Sequence, residues 1–279
     1  MPMIRLSFFF HHDSKVIADR LSNELSMCKR WLVDNRLSLH VGKTESLLFG
    51  SKRKLRGAEN FRVFCDGTPV ERMQSVKYLG VMLDGNLNGS AHASKLMQVC
   101  AGRLAFLYRN SSLLDVKCRQ ILCTSLIQPY IDYCCSSWFS SLSVALRERL
   151  NVLQRKMVRF IHGMDYRGHV DLKNLRELNW LSIPDRVQYF KLLHLFRIRN
   201  KTAPKYLRTN FTSISDVHDH GTRGSRYNFR ISKEMALSPK TFAFTAIKQW
   251  NLLPNDIKSI NVFRVFKRKL KEHLSLHYD

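Results

Sequence analysis

Residues 61–84 read FRVFCDGTPVERMQSVKYLGVMLD. Phe61–Cys65 and Val76–Leu83 are short runs of β-branched and aromatic residues, the composition of strands. Asp66-Gly67-Thr68-Pro69 between them is a turn signal, and Asp-Gly suits a hairpin. Upstream, Glu45–Phe49 (ESLLF) is a third β-type run, joined to the next by a basic loop of Lys52-Arg53-Lys54 with Gly57. Residues 14–34 have a different period. Ile17, Leu21, Leu25, Cys28 and Leu32 recur at three- and four-residue intervals, Asp13 or Ser14 can cap, and Asn35 can stop the helix. The first 85 residues therefore read as α+β, a helix followed by a small antiparallel meander.

The rest reads as helical. Leu96, Cys100, Leu104 and Leu107 line a helix near 91–110. Asp115 caps one that runs towards Gln128, where Pro129 bends or ends it. Ser143 opens a helix near 144–162 striped by Leu146, Leu150, Leu153, Met157 and Ile161, and Gly163 closes it. Ser182 starts another, with Pro184 as its first helical residue and an end near Asn200. Residues 209–232, rich in Ser, Thr, Asp, His and Arg, read as a long loop. Helices near 240–250 and 262–276 follow, the second with Phe263, Phe266, Leu270 and Leu274 inward. Three regions are expected: 1–85, 86–205 and 206–279.

Hydrophobic residues make up 44% of the 279 and aromatics 11%, which excludes wholesale disorder. No apolar run approaches the roughly 18 residues of a membrane span, and residues 1–11 lack the cleavage site of a signal peptide. No membrane partner is expected. The seven cysteines are odd in number and form no CxxC, so a reduced, intracellular protein without a zinc site is expected, nuclear or cytoplasmic. The formal net charge is +24. Such an excess favours a polyanion, most simply nucleic acid. It is distributed, with +5 in residues 1–90, +10 in 91–200 and +9 in 201–279.

No catalytic constellation stands out. His11-His12-Asp13 sits at a helix start and reads as capping residues before it reads as a metal or acid/base cluster. Asp216, His218, Asp219 and His220 fall in the loop without metal-ligand spacing. There is no Gly-rich phosphate loop and no nucleophile elbow.

Four ordered segments nevertheless carry a resemblance. They are LSLHVGKTESLLF at 37–49 with VKYLGVMLD at 76–84; Ile127-Gln128-Pro129-Tyr130-Ile131-Asp132-Tyr133; Leu153-Gln154-Arg155 with Val158-Arg159 and Ile161; and Trp250-Asn251-Leu252-Leu253-Pro254 with Phe266-Lys267 and Leu270-Lys271. In this order, over more than 200 residues, they resemble the C-terminal part of LINE-type reverse transcriptases, of the jockey-like non-LTR retrotransposon group. The resemblance implies the end of a palm at 1–85, a thumb at 86–205 and a C-terminal helical region beyond. It implies that Lys43 lies near the incoming nucleotide's phosphates and protonates the leaving pyrophosphate. Read from the residues alone, Lys43 is equally a surface lysine at a strand start. The resemblance places Tyr78, Leu79 and Gly80 in the hairpin that holds the primer's 3′ end; a buried hairpin core is the plainer reading. It implies that thumb cations track a template–primer duplex of RNA and DNA by its phosphates. Arg147, Arg149, Arg155, Lys156 and Arg159, on one helix, are the candidates, against the plainer reading of an ordinary solvated face.

The intact family uses Mg²⁺ held by carboxylates, part of them an Ala-Asp-Asp motif just before the helix at 14–34. No adjacent Asp pair occurs in this chain, so no cofactor is expected in it and none of its residues is assigned as a metal ligand. Met1-Pro2-Met3-Ile4 stands where the motif belongs. Its codons, ATG CCN ATG ATH, read from the third base, give Ala, a codon with a free first base, then Asp; G at that base yields Ala-Asp-Asp. A start in the shifted frame, rejoined at Phe8–Phe10, is the expectation, and the nucleotide sequence upstream tests it. The reading is a truncated RNA-directed DNA polymerase, inactive alone but able to bind nucleic acid, with the missing palm and fingers half as a further partner. The alternative is a co-opted basic helical protein that binds nucleic acid or other proteins without enzymatic role.

Overall fold

The computed structural model describes residues 7–216 and 227–278; the sequence features at Met1–Ile4 and at His218, Asp219 and His220 lie outside the described residues. The fold is α+β and mainly helical, in two compact units, Met1–Ala91 and His92–Asp279.

The first unit opens with α1 (Ser14–Asp34). Asp13 caps it by accepting from the Lys15 N–H, and Asn35 follows its last turn. A 3-10 turn (Val41–Lys43) leads to β1 (Glu45–Ser46), then α2 (Lys52–Arg56), β2 (Val63–Cys65), β3 (Thr68–Arg72), β4 (Ser75–Tyr78) and β5 (Val81–Asp84). Asp66 and Gly67, at φ 48° and 80°, make the β2–β3 hairpin turn. The core is Ala18, Ala58, Phe61, Val63, Cys65 and Val70, with Ile17, Leu21 and Leu25 of α1 packed against it. One hydroxyl ties helix to sheet: Ser22 Oγ accepts the Phe64 N–H at 2.9 Å and donates to the Ala18 carbonyl at 2.7 Å.

The sheet differs from a single meander. β1 pairs in parallel with β3, β3 pairs antiparallel with β2, and β4–β5 form a separate two-stranded hairpin. Thr68–Arg72, whose start reads as turn, is the central strand. Pro69 fits there because it is the strand's second residue and β1 reaches only Glu71 and Arg72, so on that side no ladder bond needs the N–H that proline lacks. The run 76–83 is not one strand, because Leu79 and Gly80, at φ 45° and 87°, turn the chain back within it. Only two residues of Glu45–Phe49 pair. The basic stretch at 52–54 is helix rather than loop, since Ser51 caps it by accepting from the Lys54 N–H.

The second unit contains α3 (Ser90–Arg109, from two residues before its start), α4 (Val116–Leu126), α5 (Gln128–Asp132), α6 (Cys135–Trp138), α7 (Val144–His162), α8 (Leu172–Glu177), α9 (Ile183–Arg199), α10 (Lys205–Arg208), α11 (Lys233–Ala236), α12 (Phe242–Leu252), α13 (Asn255–Lys258) and α14 (Phe263–Leu274). Ser143, Ser182 and Thr241 cap α7, α9 and α12. Gly163, at φ 65°, ends α7 in the left-handed conformation that glycine adopts without strain. Pro184 is the second residue of α9 rather than the first. Residues 206–279 do not stand apart: α12 and α14 pack on α9. Phe196 of α9 stacks on Phe266 at 4.5 Å, and Trp250 of α12 meets Phe266 at 5.8 Å. The stretch read as a long loop is tied at its ends by a bridge between Ser213 and Phe229.

Candidate nucleic-acid interface

A polyanion surface needs cations that reach water without a carboxylate partner. The five cations of α7 divide on this criterion, because the helix is amphipathic and its buried stripe of Leu150, Leu153, Met157, Val158 and Ile161 fixes which side each faces. Arg147 turns inward: its Nη2 donates to the Ser140 carbonyl at 2.7 Å and its guanidinium lies 5.6 Å from the Phe139 ring. Arg159 Nε donates to the Gly168 carbonyl at 2.8 Å and holds the chain that leaves the helix. Arg155 donates to Glu148 at 2.6 Å. That hydrogen bond, helped by one from Asn151, lowers the Glu148 pKa. Arg149 and Lys156 remain exposed. They are seven residues apart, two turns, so they share a face. The structure thus groups Arg149 with Lys156 and assigns Arg147, Arg155 and Arg159 to contacts within the chain.

Beside α7 lie α3 and α4. Tyr108 of α3 donates to the Lys156 carbonyl at 3.2 Å and meets Phe160 edge-on at 4.9 Å. Together α3 and α4 carry five cations, Lys95, Arg103, Arg109, Lys117 and Arg119, and no carboxylate. An open groove of about 460 Å³ runs between them, lined by Gln98, Val99, Gly102, Arg103, Phe106 and Leu126. A Cβ on Gly102 would meet nothing within 4 Å, so the groove is open at that point. Arg103 is fixed at its edge: it donates to the Leu126 carbonyl at 2.7 Å and to the Tyr130 hydroxyl at 2.6 Å, with its guanidinium 4.3 Å from that ring's centroid. Phe106 is 57% exposed. An exposed ring beside fixed cations can stack a base while neighbouring phosphates are neutralised. Sequence reasoning missed this groove, although the absence of acids between residues 90 and 114 was legible.

In the first unit, Lys43 is exposed at the end of the 3-10 turn before β1. Tyr78, Leu79 and Gly80 form the β4–β5 turn, with Leu79 60% exposed and Tyr78 half-buried. Lys43 and this turn sit on separate elements. A cavity of about 560 Å³ in the same unit is lined by Leu48, Leu55, Met73, Gln74 and Asp84 among others. Asp84 is buried; its Oδ1 accepts the Asn88 N–H at 3.1 Å, which shapes the turn after β5.

A two-metal centre needs grouped carboxylates. Here Asp13 caps α1, Asp66 pairs with Lys29 at 2.8 Å, and Asp84 holds a turn. Among the described residues, no three His, Cys, Asp or Glu side chains are placed to hold a metal. These donors do not fit an Mg²⁺ pair.

No helix among the described residues is long and apolar enough to cross a membrane. No family model and no solved structure matches the chain. Among curated proteins, the chain is similar to the "Probable RNA-directed DNA polymerase from transposon X-element" of Drosophila melanogaster, 23% identical over 158 residues. That match covers 56% of this chain and 16% of the relative, so the chain spans about a sixth of that polymerase's length.

Proposed function

We propose that the chain is a reverse-transcriptase-derived polypeptide of the non-LTR retrotransposon type, which binds RNA and DNA through their phosphates and does not polymerise by itself. The observation that carries this reading is the run of cations without a carboxylate within α3 and α4, beside the exposed Arg149 and Lys156. A face of that kind binds any nucleic acid through counterion release and without base readout. Polymerisation needs grouped carboxylates, and among the described residues none are placed to hold a metal. The similarity to a transposon polymerase supports the ancestry.

The test is fluorescence anisotropy with labelled RNA, DNA and hybrid duplexes across a salt series, beside primer extension with Mg²⁺. Binding with log Kd rising linearly in log salt, and no extension, is the expected result. Absence of binding at 50 mM salt, or nucleotide incorporation by this chain alone, refutes the proposal. The expectation that a protein partner completes the first unit has its own support: Met27 and Trp31, four apart on α1, are 62% and 51% exposed. Concentration-dependent self-association of the purified chain, lost in Trp31→Glu, is the matching readout.

A further inference from the structure

The last helix, α14, presents a charge pattern that the α7 face does not explain. At 3.6 residues per turn, Lys267, Lys271, Arg264 and Arg268 fall within an arc of about 100°. Phe266, Leu270 and Leu274 occupy the adjoining arc and are buried. Lys271 is drawn into the protein: it donates to the Asn179 carbonyl at 2.8 Å, and burial, reinforced by Arg186, lowers its pKa. Arg264, Lys267 and Arg268 stay exposed. The Phe263 ring gathers a further cation. Lys267 Nζ lies 5.8 Å from its centroid, and the guanidinium of Arg197, an exposed residue in the last turn of α9, lies 5.0 Å from it.

One carboxylate offsets this stripe, and only at its edge, at Arg268. The one acid on α14, Glu272, sits at its edge, 3.0 Å from Lys269 and 3.8 Å from Arg268, all exposed. Among the described residues, Arg197, Arg264 and Lys267 have no carboxylate within ion-pair distance. Arg264 and Arg268 are like charges four apart, an arrangement that weakens a helix unless an anion is bound.

We infer that this stripe, Arg264, Lys267 and Arg268 with Arg197, is a second phosphate-contacting surface for a nucleic-acid strand, additional to the face at α7. The inference rests on the nucleic-acid reading above. A phosphodiester chain suits the stripe because it offers evenly spaced charge and asks for no apolar contact. A lipid surface suits it less, because the apolar arc a membrane helix would insert is already buried against α9.

The experiment uses the full chain. Arg264→Gln, Lys267→Gln and Arg268→Gln are combined, beside a charge-matched control of Lys233→Gln, Lys240→Gln and Lys269→Gln. A third protein carries Arg264→Lys, Lys267→Arg and Arg268→Lys. Each is titrated with labelled duplex and single-stranded RNA over a salt series, with circular dichroism melts to establish folding. Each phosphate contact contributes about 0.9 to the salt slope on duplex and about 0.7 on single strands. The stripe variant is expected to lose about 2–3 of slope and to bind more weakly, while the control and the charge-preserving variant keep the wild-type slope. An equal loss in the control overturns the inference, because net charge alone then accounts for binding. An unchanged slope in the stripe variant overturns it too, and leaves the α7 reading standing if Arg149→Gln with Lys156→Gln lowers the slope. Wild-type protein that binds no nucleic acid overturns both. Anionic vesicles that bind wild type but not the stripe variant, with RNA binding equal in the two, assign the stripe to a membrane instead.

Discussion

Lys191 of α9 is 2% exposed, and among the described residues no carboxylate pairs with it. Its ammonium donates to the hydroxyls of Ser140 and of Thr245, the latter at 2.8 Å. Burial lowers its pKa to about 8 from 10.5, with Cys135 acting the other way and Arg147 the same way. A depressed lysine opposes folding while it is charged in both states, below pH 8, and the opposition fades as pH rises from 8 to 10.5. The drop is worth about 3 kcal/mol at about 1.36 kcal/mol per pH unit. Lys191→Met removes that opposition with a side chain of similar length. It forfeits two hydrogen bonds of about 1 kcal/mol each. Thr245 keeps its bonds to the carbonyls of Thr241 and Phe242, so the forfeit falls mainly on Ser140. The variant is expected to be about 1–2 kcal/mol more stable than wild type at pH 7, and about 1 kcal/mol less stable above pH 10.5. Urea melts between pH 7 and 11 in a Trp31→Phe background report the second unit alone, through Trp138, Trp180 and Trp250. Cys100, Cys123 and Cys135, whose thiols burial pushes up to about 11–12, contribute a fall over the same range. Most of it cancels in the difference between the two proteins. A difference that stays flat with pH, or a variant less stable than wild type at pH 7, refutes the reasoning.

Two further outcomes follow from polar residues inside the resemblance segments. Asp132 forms a bidentate ion pair with Arg186, each side chain about four-fifths buried. Asp132→Asn is expected to cost about 2–3 kcal/mol and to lower Tm by roughly 5–10 °C, with Asp132→Asn combined with Arg186→Met recovering part of the loss; additive losses in the double variant count against a direct pair. Asn251 brackets the Phe229 backbone, accepting its N–H at 3.0 Å and donating to its carbonyl at 2.9 Å. Asn251→Ala is expected to cost about 2 kcal/mol and to speed amide exchange at Phe229 selectively; exchange there at the wild-type rate sinks that account.

Helices were legible where a capping side chain preceded a long apolar stripe, as at Asp13, Ser143 and Ser182. Five-residue helices such as α2 and α5 carry too few turns to show a period. The resemblance pointed to a hairpin at Tyr78–Gly80, but the β-type pattern alone hid the turn, because Leu79, an apolar residue, takes a positive φ within an otherwise strand-like run. For the interface, the sequence supplied cations but not their engagements. Those engagements decide what the resemblance segments mean. Gln154, 7% exposed, donates to the Leu181 carbonyl at 2.9 Å and accepts from the Ile183 N–H at 3.1 Å. Trp250 donates to the Tyr227 carbonyl at 2.7 Å, beside Asn251 on Phe229. Lys271 binds Asn179, and Arg159 binds Gly168. In each case a polar residue of a quoted segment satisfies a backbone group outside its own helix, and for the buried groups that partner is required. These residues therefore tie the second unit together, and substitutions of them are expected to act first on stability. Under the proposed function, nucleic-acid contact falls instead to cations with no such employment, among them Arg149 and Lys156 on α7, Arg197 on α9, and Arg264, Lys267 and Arg268 on α14. Of these six, Lys267 alone lies in a quoted segment, which is why the resemblance identified a fold more readily than a binding surface.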